Sequence, residues 1–573
     1  MTLDTPHSTQ PSRKRMRIAI VGLGVTIGLL IYAGLNYFGP SISSGTLNQI
    51  GSRIPISPET TIYTSPIDEH GFVNFNEAFY DEMEEGISPE NNAAYGIVRA
   101  FGGRGDSGFV MKDVCEFLRI EPADENGHFF RSLTGYGEQV ADWDSAEISS
   151  VYDDQDAAMT KPWSEVEYPR IAQWLEANAS SMELIKESLK KPHYFVRRDS
   201  EGDGMVAILL DDIMQIRSVA RYLNADAMRK CGEGDFDAAW KDILAIYRLG
   251  HLISHCPFLV ERLVGHAIDG IASHATVAWL NALPDNYEGL SDKRDEIDRL
   301  PPLDSIKHGI HCERIIAIDS VISTLKGAES LELLDANAPA MLRHLSRSSL
   351  DWDHILRRLN EAYDSIENGF DLPTYADQKV AIAAQEERLK NLSAVSSKYY
   401  HPLTHAKWAL LPGARRREAS ELVANIYLSL LLPSMEGIIN IGPRSEGELG
   451  LVKIAFVMTE YRINNGHLPV TFDEAGLPTE STPITDHFDQ QPFRIVPDGP
   501  DHVWIWQIGF DGVDESVPAA THELASGDYG FRLGPLTEES ETDDLDSHQE
   551  QESLSEPSGS PDTEESAKGD CVA

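Results

Sequence analysis

The chain has 573 residues, 48 Lys and Arg against 92 Asp and Glu, and a formal net charge of −44. With 41% apolar and 24% charged residues it can bury a sizeable core in about two to four domains, which excludes global disorder. Its acidity excludes a nucleic-acid-binding surface, and five cysteines without a CxxC pair exclude a disulfide scaffold and a zinc ribbon.

Residues 1–17 form a basic tail carrying Arg13, Lys14, Arg15 and Arg17. Ile18 to Phe38 is an uncharged run of 21 residues. As a helix rising ~1.5 Å per residue it spans about 30 Å of hydrocarbon. Cationic flanks stay in the cytoplasm, so the spacing predicts a single-pass cell-membrane protein. Its N-terminus is inside, and the bulk of the chain is extracytoplasmic. A cleavable signal peptide competes with this reading, as does a buried soluble helix. Signal peptides have apolar regions of about 7–15 residues and a small-residue cleavage site. This run is longer, and Ile31-Tyr32-Ala33 is a poor site. The expectation is an uncleaved signal-anchor, with the lipid bilayer as partner through residues 18–38.

Residues 39–58 are rich in Ser, Gly and Pro and read as a linker. An α-helical extracytoplasmic domain is expected over 59–440. Ser88-Pro89-Glu90 reads as a helix start. Ile97, Val98 and Phe101 supply the apolar face, and Gly102-Gly103 the stop. Residues 104–160 read as short helices and loops, with Asp153, Asp154 and Asp156 in a solvated acidic loop.

The clearest pattern is an αα-hairpin over 210–255. Ile213, Ile216, Ala220, Leu223 and Ala227 form one stripe; Phe236, Trp240, Ile243 and Tyr247 form another. Cys231-Gly232-Glu233-Gly234 breaks the first helix, and Asp235 caps the second. Two stripes joined by a tight turn fold back on each other, as in solenoid repeats, although no fixed repeat period is present. A third long helix is expected over 259–283, and others over 305–326, 349–368, 376–397 and 416–439. A last helix, 447–465, ends at Asn464-Asn465-Gly466. Alternation in Val503-Trp504-Ile505-Trp506-Gln507-Ile508 then predicts a small β-meander, giving an α+β unit over 441–535. Residues 536–573 read as a disordered acidic tail. From Thr537 onward they hold 13 acids, one Lys and no aromatic residue, which leaves −32 on the rest. The fold class is mainly α.

The segment 453–462 (KIAFVMTEYR), followed by Asn465-Gly466-His467-Leu468-Pro469, resembles the helix and NGxxP turn of type II secretion major pseudopilins. Asp486-His487-Phe488-Asp489-Gln490-Gln491-Pro492-Phe493 is similar to their DPxGxPY turn. Residues 504–514 (WIWQIGFDGVD) are similar to their terminal strand and loop. The likeness covers about 85 residues near 450–535; the family's N-terminal signature is missing. The whole chain resembles a second group, large uncharacterised membrane-anchored proteins of planctomycete bacteria. That likeness is carried by residues 64–71 (TSPIDEHG), 88–94 (SPENNAA), 169–175 (PRIAQWL), the hairpin and the terminal pseudopilin-like unit. This second resemblance implies an architecture and no activity. The pseudopilin resemblance implies a calcium loop, for which Asp511 and Asp514, helped by Glu515, are the candidates. An acidic turn closing a hairpin is the alternative, because Ser516-Val517-Pro518-Ala519-Ala520 replaces the family's Gly-rich continuation.

Other motifs are weaker. Asp199-Ser200-Glu201-Gly202-Asp203-Gly204 opens like an EF-hand loop, but Leu210 stands where a bidentate Glu is required. His251 and His255 share a helix face, with Cys256, His266 and His274 following. His308/His311 and His401/His405 show similar spacing, and packed helix-face histidines are the commoner outcome. Gly105-Asp106-Ser107-Gly108 resembles a serine-protease turn without the barrel that chemistry needs, and Arg104-Gly105-Asp106 is a three-residue coincidence. No catalytic residue, cofactor or metal ligand is assigned. The expected role is a helical interaction or scaffold protein with a cationic protein partner and no nucleic acid. One alternative is a hydrolase or lyase with an acidic groove lined by Trp163, Trp174 or Trp240. The other is a secretion-system component.

Overall fold

The computed structural model describes residues 54–536, apart from 107, 199–204, 206–207, 209, 327–349, 398–403, 405–406, 408–411, 433–434, 436, 478–484 and 515–526. The proposed span at 18–38, the tail from 537 and the EF-hand-like run at 199–204 lie outside the described residues. No helix among the described residues is long and apolar enough to cross a membrane.

The chain is mainly helical, as expected, with fifteen α-helices and one small sheet among the described residues. The helices are α1 Phe75–Met83, α2 Ala94–Ala100, α3 Lys112–Leu118, α4 Leu133–Tyr136, α5 Ser145–Thr160, α6 Pro169–Ser188, α7 Ile213–Gly232 and α8 Phe236–Ser254. They continue with α9 Leu259–Ala282, α10 Leu290–Asp298, α11 Ile306–Lys326, α12 Trp352–Phe370, α13 Tyr375–Ser397, α14 Pro412–Leu431 and α15 Ile441–Asn465. Strands β1 Arg494–Asp498, β2 His502–Gln507 and β3 Tyr529–Leu533 form an antiparallel meander in the order β1-β2-β3. Arg494 lies opposite Trp506, and Val503 opposite Leu533.

The hairpin forms where its periodicity placed it. All five stripe residues of α7 are buried, as are Trp240, Ile243 and Tyr247 of α8. Asp235 caps α8 by accepting from the Ala238 N–H at 3.1 Å. The third helix, α9, joins two apolar cores. Phe258 and Leu259 at its start belong with α1, α11, α12 and α14. Its later residues Ile268, Ala272 and Leu280 belong with α2 to α8, α15 and the sheet. Because Val503, Ile505, Phe531 and Leu533 share that second core with Trp240 and Trp279, the α+β unit is packed directly on the helical body.

Four expectations need correction. The helix at 88–103 begins only at Ala94, because Asn92 is committed elsewhere. Its side chain accepts from the Phe195 N–H at 3.0 Å and donates to the Phe195 carbonyl at 2.7 Å, while Ala93 N–H donates to His193 O. The residues 88–91 form a turn instead. Asp153, Asp154 and Asp156 lie on α5 rather than in a loop. That helix starts from a full capping box, Asp144 with Glu147, and buries Val151, Gln155 and Ala158. A helix running to 439 stops at Leu431, and a separate 3₁₀ turn, Ile438–Asn440, leads into α15. The end of the stretch predicted as a linker is already packed, with Ile54 buried and the Pro55 carbonyl accepting from the Thr60 hydroxyl at 2.5 Å.

Candidate functional site

Helix α9 begins with apolar residues, yet one of its faces is polar and buried. Arg262, His266, Asp269, Ser273 and Thr276 recur at steps of four and three, a single seam on a helix. The facing helix α8 answers with Tyr247, His251 and Ser254, also buried. The two backbones touch where each has a glycine. A Cβ on Gly265 would lie 2.4 Å from the Ser254 nitrogen, and one on Gly250 would lie 3.0 Å from the Gly265 oxygen.

The seam is hydrogen-bonded along its length. Tyr247 Oη lies 3.2 Å from Thr276 Oγ1 and 3.4 Å from Ser273 Oγ. His251 Nδ1 meets the Pro301 carbonyl, and its Nε2 lies 3.1 Å from Asp269 Oδ1. A carbonyl only accepts, so Nδ1 is the nitrogen that donates to it. His266 Nε2 donates to the Asp304 carbonyl at 3.2 Å, leaving Nδ1 to accept from the Ser445 hydroxyl at 2.9 Å. Burial lowers the His266 pKa, against the pull of the Asp304 carbonyl, which fits this neutral tautomer. Burial alone would raise the Asp304 carboxyl, but the Arg262 guanidinium outweighs it and holds the group below its ordinary range.

A second cluster adjoins the seam. Arg198 binds Asp212 at 2.7 and 3.0 Å and Glu261 at 3.0 Å, and Tyr194 donates to Asp212 at 2.5 Å. Asp212 precedes α7 and Glu261 lies in the first turn of α9, so one guanidinium joins two helix N-termini that themselves favour negative charge. Burial opposes charge on Arg198, yet the two carboxylates raise its pKa well above the ordinary value. Burial raises Glu261, with Arg198 opposing. Behind α7, Asp242 bridges Lys186 of α6 at 3.2 Å and Lys230 of α7.

This arrangement can hold helices together; it cannot receive a substrate as it stands. Glu261 and Asp269 are 0% exposed and Asp212 1%. Ser254 Oγ donates to the His251 carbonyl rather than to its ring, so among the described residues no hydroxyl donates to the His251 ring.

The motifs singled out in the sequence are scattered. His251 and His266 belong to the seam, whereas His255 is exposed and His274 packs edge-on against Phe531. Cys256 is buried, with its Sγ 3.8 Å from the Leu252 carbonyl. His308 pairs with Asp304 and His311 with Glu367, while His401 and His405 lie outside the described residues. Among the described residues no group of three or more His, Cys, Asp or Glu could hold a metal ion. Asp511 accepts from the Val513 N–H in its own turn, and Asp514 pairs with Arg494 at 3.2 Å. Arg494 also binds Asp486 and Asp489 at 2.6 and 2.5 Å, so one guanidinium ties these three acids together. Ser107 lies outside the described residues, and Asp106 is half-buried, with its carboxyl raised by desolvation. Trp163, Trp174 and Trp240 line no groove. Each is at most 1% exposed, and their indoles donate to the Ala225 carbonyl, the Arg131 carbonyl and Glu296. Cys115, Cys231, Cys256 and Cys312 are buried free thiols, in no disulfide.

Sequence reasoning missed Arg198, Asp212, Glu261 and Asp269. For Asp269 one signal was available: five polar residues at alternating four- and three-residue steps on one face of α9.

Glu313 on α11 differs from these groups. It is largely buried, no ion pair reaches it among the described residues, and burial raises its carboxyl from 4.5 to about 7. A carboxyl raised on folding binds its proton more tightly in the folded state. Its stabilisation is therefore complete below about pH 4.5 and is lost as pH climbs through about 7. Glu313→Gln should raise stability at pH 8 by about 2 kcal/mol, the partly exposed share of the shift. The advantage should vanish by pH 5. Urea midpoints of both proteins across that range test this, and parallel pH profiles would refute it.

Comparison of the chain with protein-family models, with curated proteins and with solved structures finds no match in any of the three.

Proposed function

We propose that the chain is a single-span, membrane-anchored protein that presents its helical body outside the cytoplasm as an interaction platform. The anchor rests on the uncharged run 18–38 behind four cations. The platform reading rests on one observation about the body: its buried charged clusters and largest aromatic side chains are spent on joining helices. What remains for a partner is an outer surface in a strongly acidic chain, which attracts cationic proteins and repels nucleic acid. The likeness to the planctomycete membrane-anchored group supports the same architecture. A role beside a secretion platform is the second reading, favoured only by the order of α15 followed by the three-stranded meander.

Alkaline extraction of membranes, followed by protease treatment of intact spheroplasts, tests the anchor and its orientation. The full-length chain should stay with the lipid, and the body should be digested. Introducing Asp at both Gly24 and Gly28 should release the protein or block its export, since each costs about 2.5–3.5 kcal/mol at a span centre. Full-length, unprocessed wild-type chain free in the cytosolic fraction would overturn the reading.

A further inference from the structure

Of the histidine pairs at helical spacing, 251/255 is split by the burial of His251, and 401/405 lies outside the described residues. His308 and His311 remain. They lie three residues apart on α11, with side chains 61% and 47% exposed. On a helix that spacing puts both on one face, with Cβ atoms about 5–6 Å apart. The rest of this turn faces inward. A Cβ on Gly309 would lie 3.0 Å from the Leu259 Cα of α9, and Ile310 and Cys312 are buried.

Both rings are oriented through the same nitrogen. His308 Nδ1 lies 2.9 and 3.0 Å from the two Asp304 carboxylate oxygens, and His311 Nδ1 lies 3.2 Å from Glu367 Oε1 on α12. An ionised carboxylate only accepts, so Nδ1 donates in each case, and the neutral ring keeps its lone pair on Nε2. Among the described residues neither Nε2 has a hydrogen-bond partner. The two carboxylates are held in turn. Arg262 binds Asp304, whose N–H donates to Ser254 Oγ at 3.2 Å, and Arg314 reaches Glu367 at 3.5 Å. A carboxylate on one ring nitrogen fixes the ring and makes the other nitrogen a stronger ligand, which is the support that metal-binding imidazoles receive. One such contact is an ordinary surface ion pair. Two of them on one helix face, each leaving Nε2 to solvent, supply the two donors of a chelate.

The charge of this patch admits a cation. The carboxylates Asp304, Asp364, Glu367 and Asp371 outnumber the cations Arg262, Lys307 and Arg314 that pair with them. We infer that His308 and His311 together chelate one divalent transition-metal ion of the kind that prefers imidazole, Cu²⁺ ahead of Ni²⁺ and Zn²⁺. Two protein ligands leave the other coordination positions to water. The ion therefore exchanges with solvent and forms no part of the fold, unlike one in a closed four-ligand site. The site is independent of the membrane anchor and of the platform reading.

The test titrates Cu²⁺ into the full-length protein in detergent, in a His401→Gln background that removes the pair at 401 and 405. Calorimetry gives affinity and stoichiometry, and electron paramagnetic resonance counts the coordinating nitrogens. One ion held by two nitrogens is expected. His308→Gln and His311→Gln should each weaken that ion by about tenfold or more and leave a single nitrogen coupling. The double variant should lose little further affinity, because either substitution alone already breaks the chelate. Two unconnected surface histidines behave differently: each single variant would remove one bound ion and leave the affinity of the other unchanged. That result overturns the inference, as does binding in the double variant that matches the parent. Both side chains are exposed, so the variants should keep the fold, and equal urea midpoints without metal check this.

Discussion

Gly265→Ala should destabilise the body by about 2 kcal/mol or more, despite placing a better helix former inside α9. The added Cβ would sit 2.4 Å from the Ser254 nitrogen, 2.7 Å from its Cα and 2.8 Å from the Gly250 oxygen. All three are backbone atoms, so no side chain can swing aside. The helices must separate, and overpacking of this kind costs about 1–3 kcal/mol or more. Separation also stretches the Tyr247, His251 and Ser254 contacts to α9 and the Asp304 loop, whose losses add to the steric term. Against this stands a helix-propensity gain of about 1 kcal/mol. Gly413→Ala is the matched control: it lies in the first turn of α14, and nothing lies within 4 Å of its Cβ position. It should be neutral or gain up to about 1 kcal/mol. Urea midpoints for the two variants should therefore move in opposite directions. If Gly265→Ala gained stability as well, the close approach of α8 and α9 would be wrong.

The second large effect concerns Arg198. Arg198→Met should cost about 3–5 kcal/mol, because it leaves Asp212 and Glu261 buried without their shared cation. Replacing the whole cluster is different. Arg198→Met combined with Asp212→Leu, Glu261→Leu and Tyr194→Phe removes the unpaired charges along with the pair, and most of the loss should be recovered. The single variant should also lose its remaining stability as pH rises, because it must hold two ionised carboxylates in the core. Acidification should partly rescue it by protonating them. Thermal unfolding of the single and quadruple variants at pH 5 and pH 8 measures both effects. A single variant within about 0.5 kcal/mol of wild type would show that Arg198 is not buried as described.

The α7–α8 hairpin was legible because its information is local. Two stripes at helical spacing, a glycine break and an Asp cap lie within about 45 residues, and each acts through neighbours along the chain. The meander was legible for the same reason, through strand alternation. The start at Ser88 failed because a good local cap lost to pairing with Phe195, 103 residues from Asn92. The acids of α5 misled in the opposite direction. Their charge suggested a loop, but a capping box upstream and the apolar Val151 and Ala158 settled the helix, with Asp153 left exposed. The aromatic residues offered as groove walls ended in the interior because their indole N–H groups found carbonyl or carboxylate partners there.

The candidate site was less legible than the fold. Nothing in the local pattern separates Arg198, a cation at the core of two helix starts, from Arg197, whose guanidinium reaches the exposed Asp81. What the amino-acid order determined alone was periodicity, composition and charge: the helical class, the turns of the hairpin, the small sheet and the acidity of the whole. Which charges are buried, and which histidine meets an aspartate, were decided only when distant faces met. Helical periodicity is set by bonds spanning four residues, whereas the cost of a buried charge depends on partners brought together from anywhere in the chain.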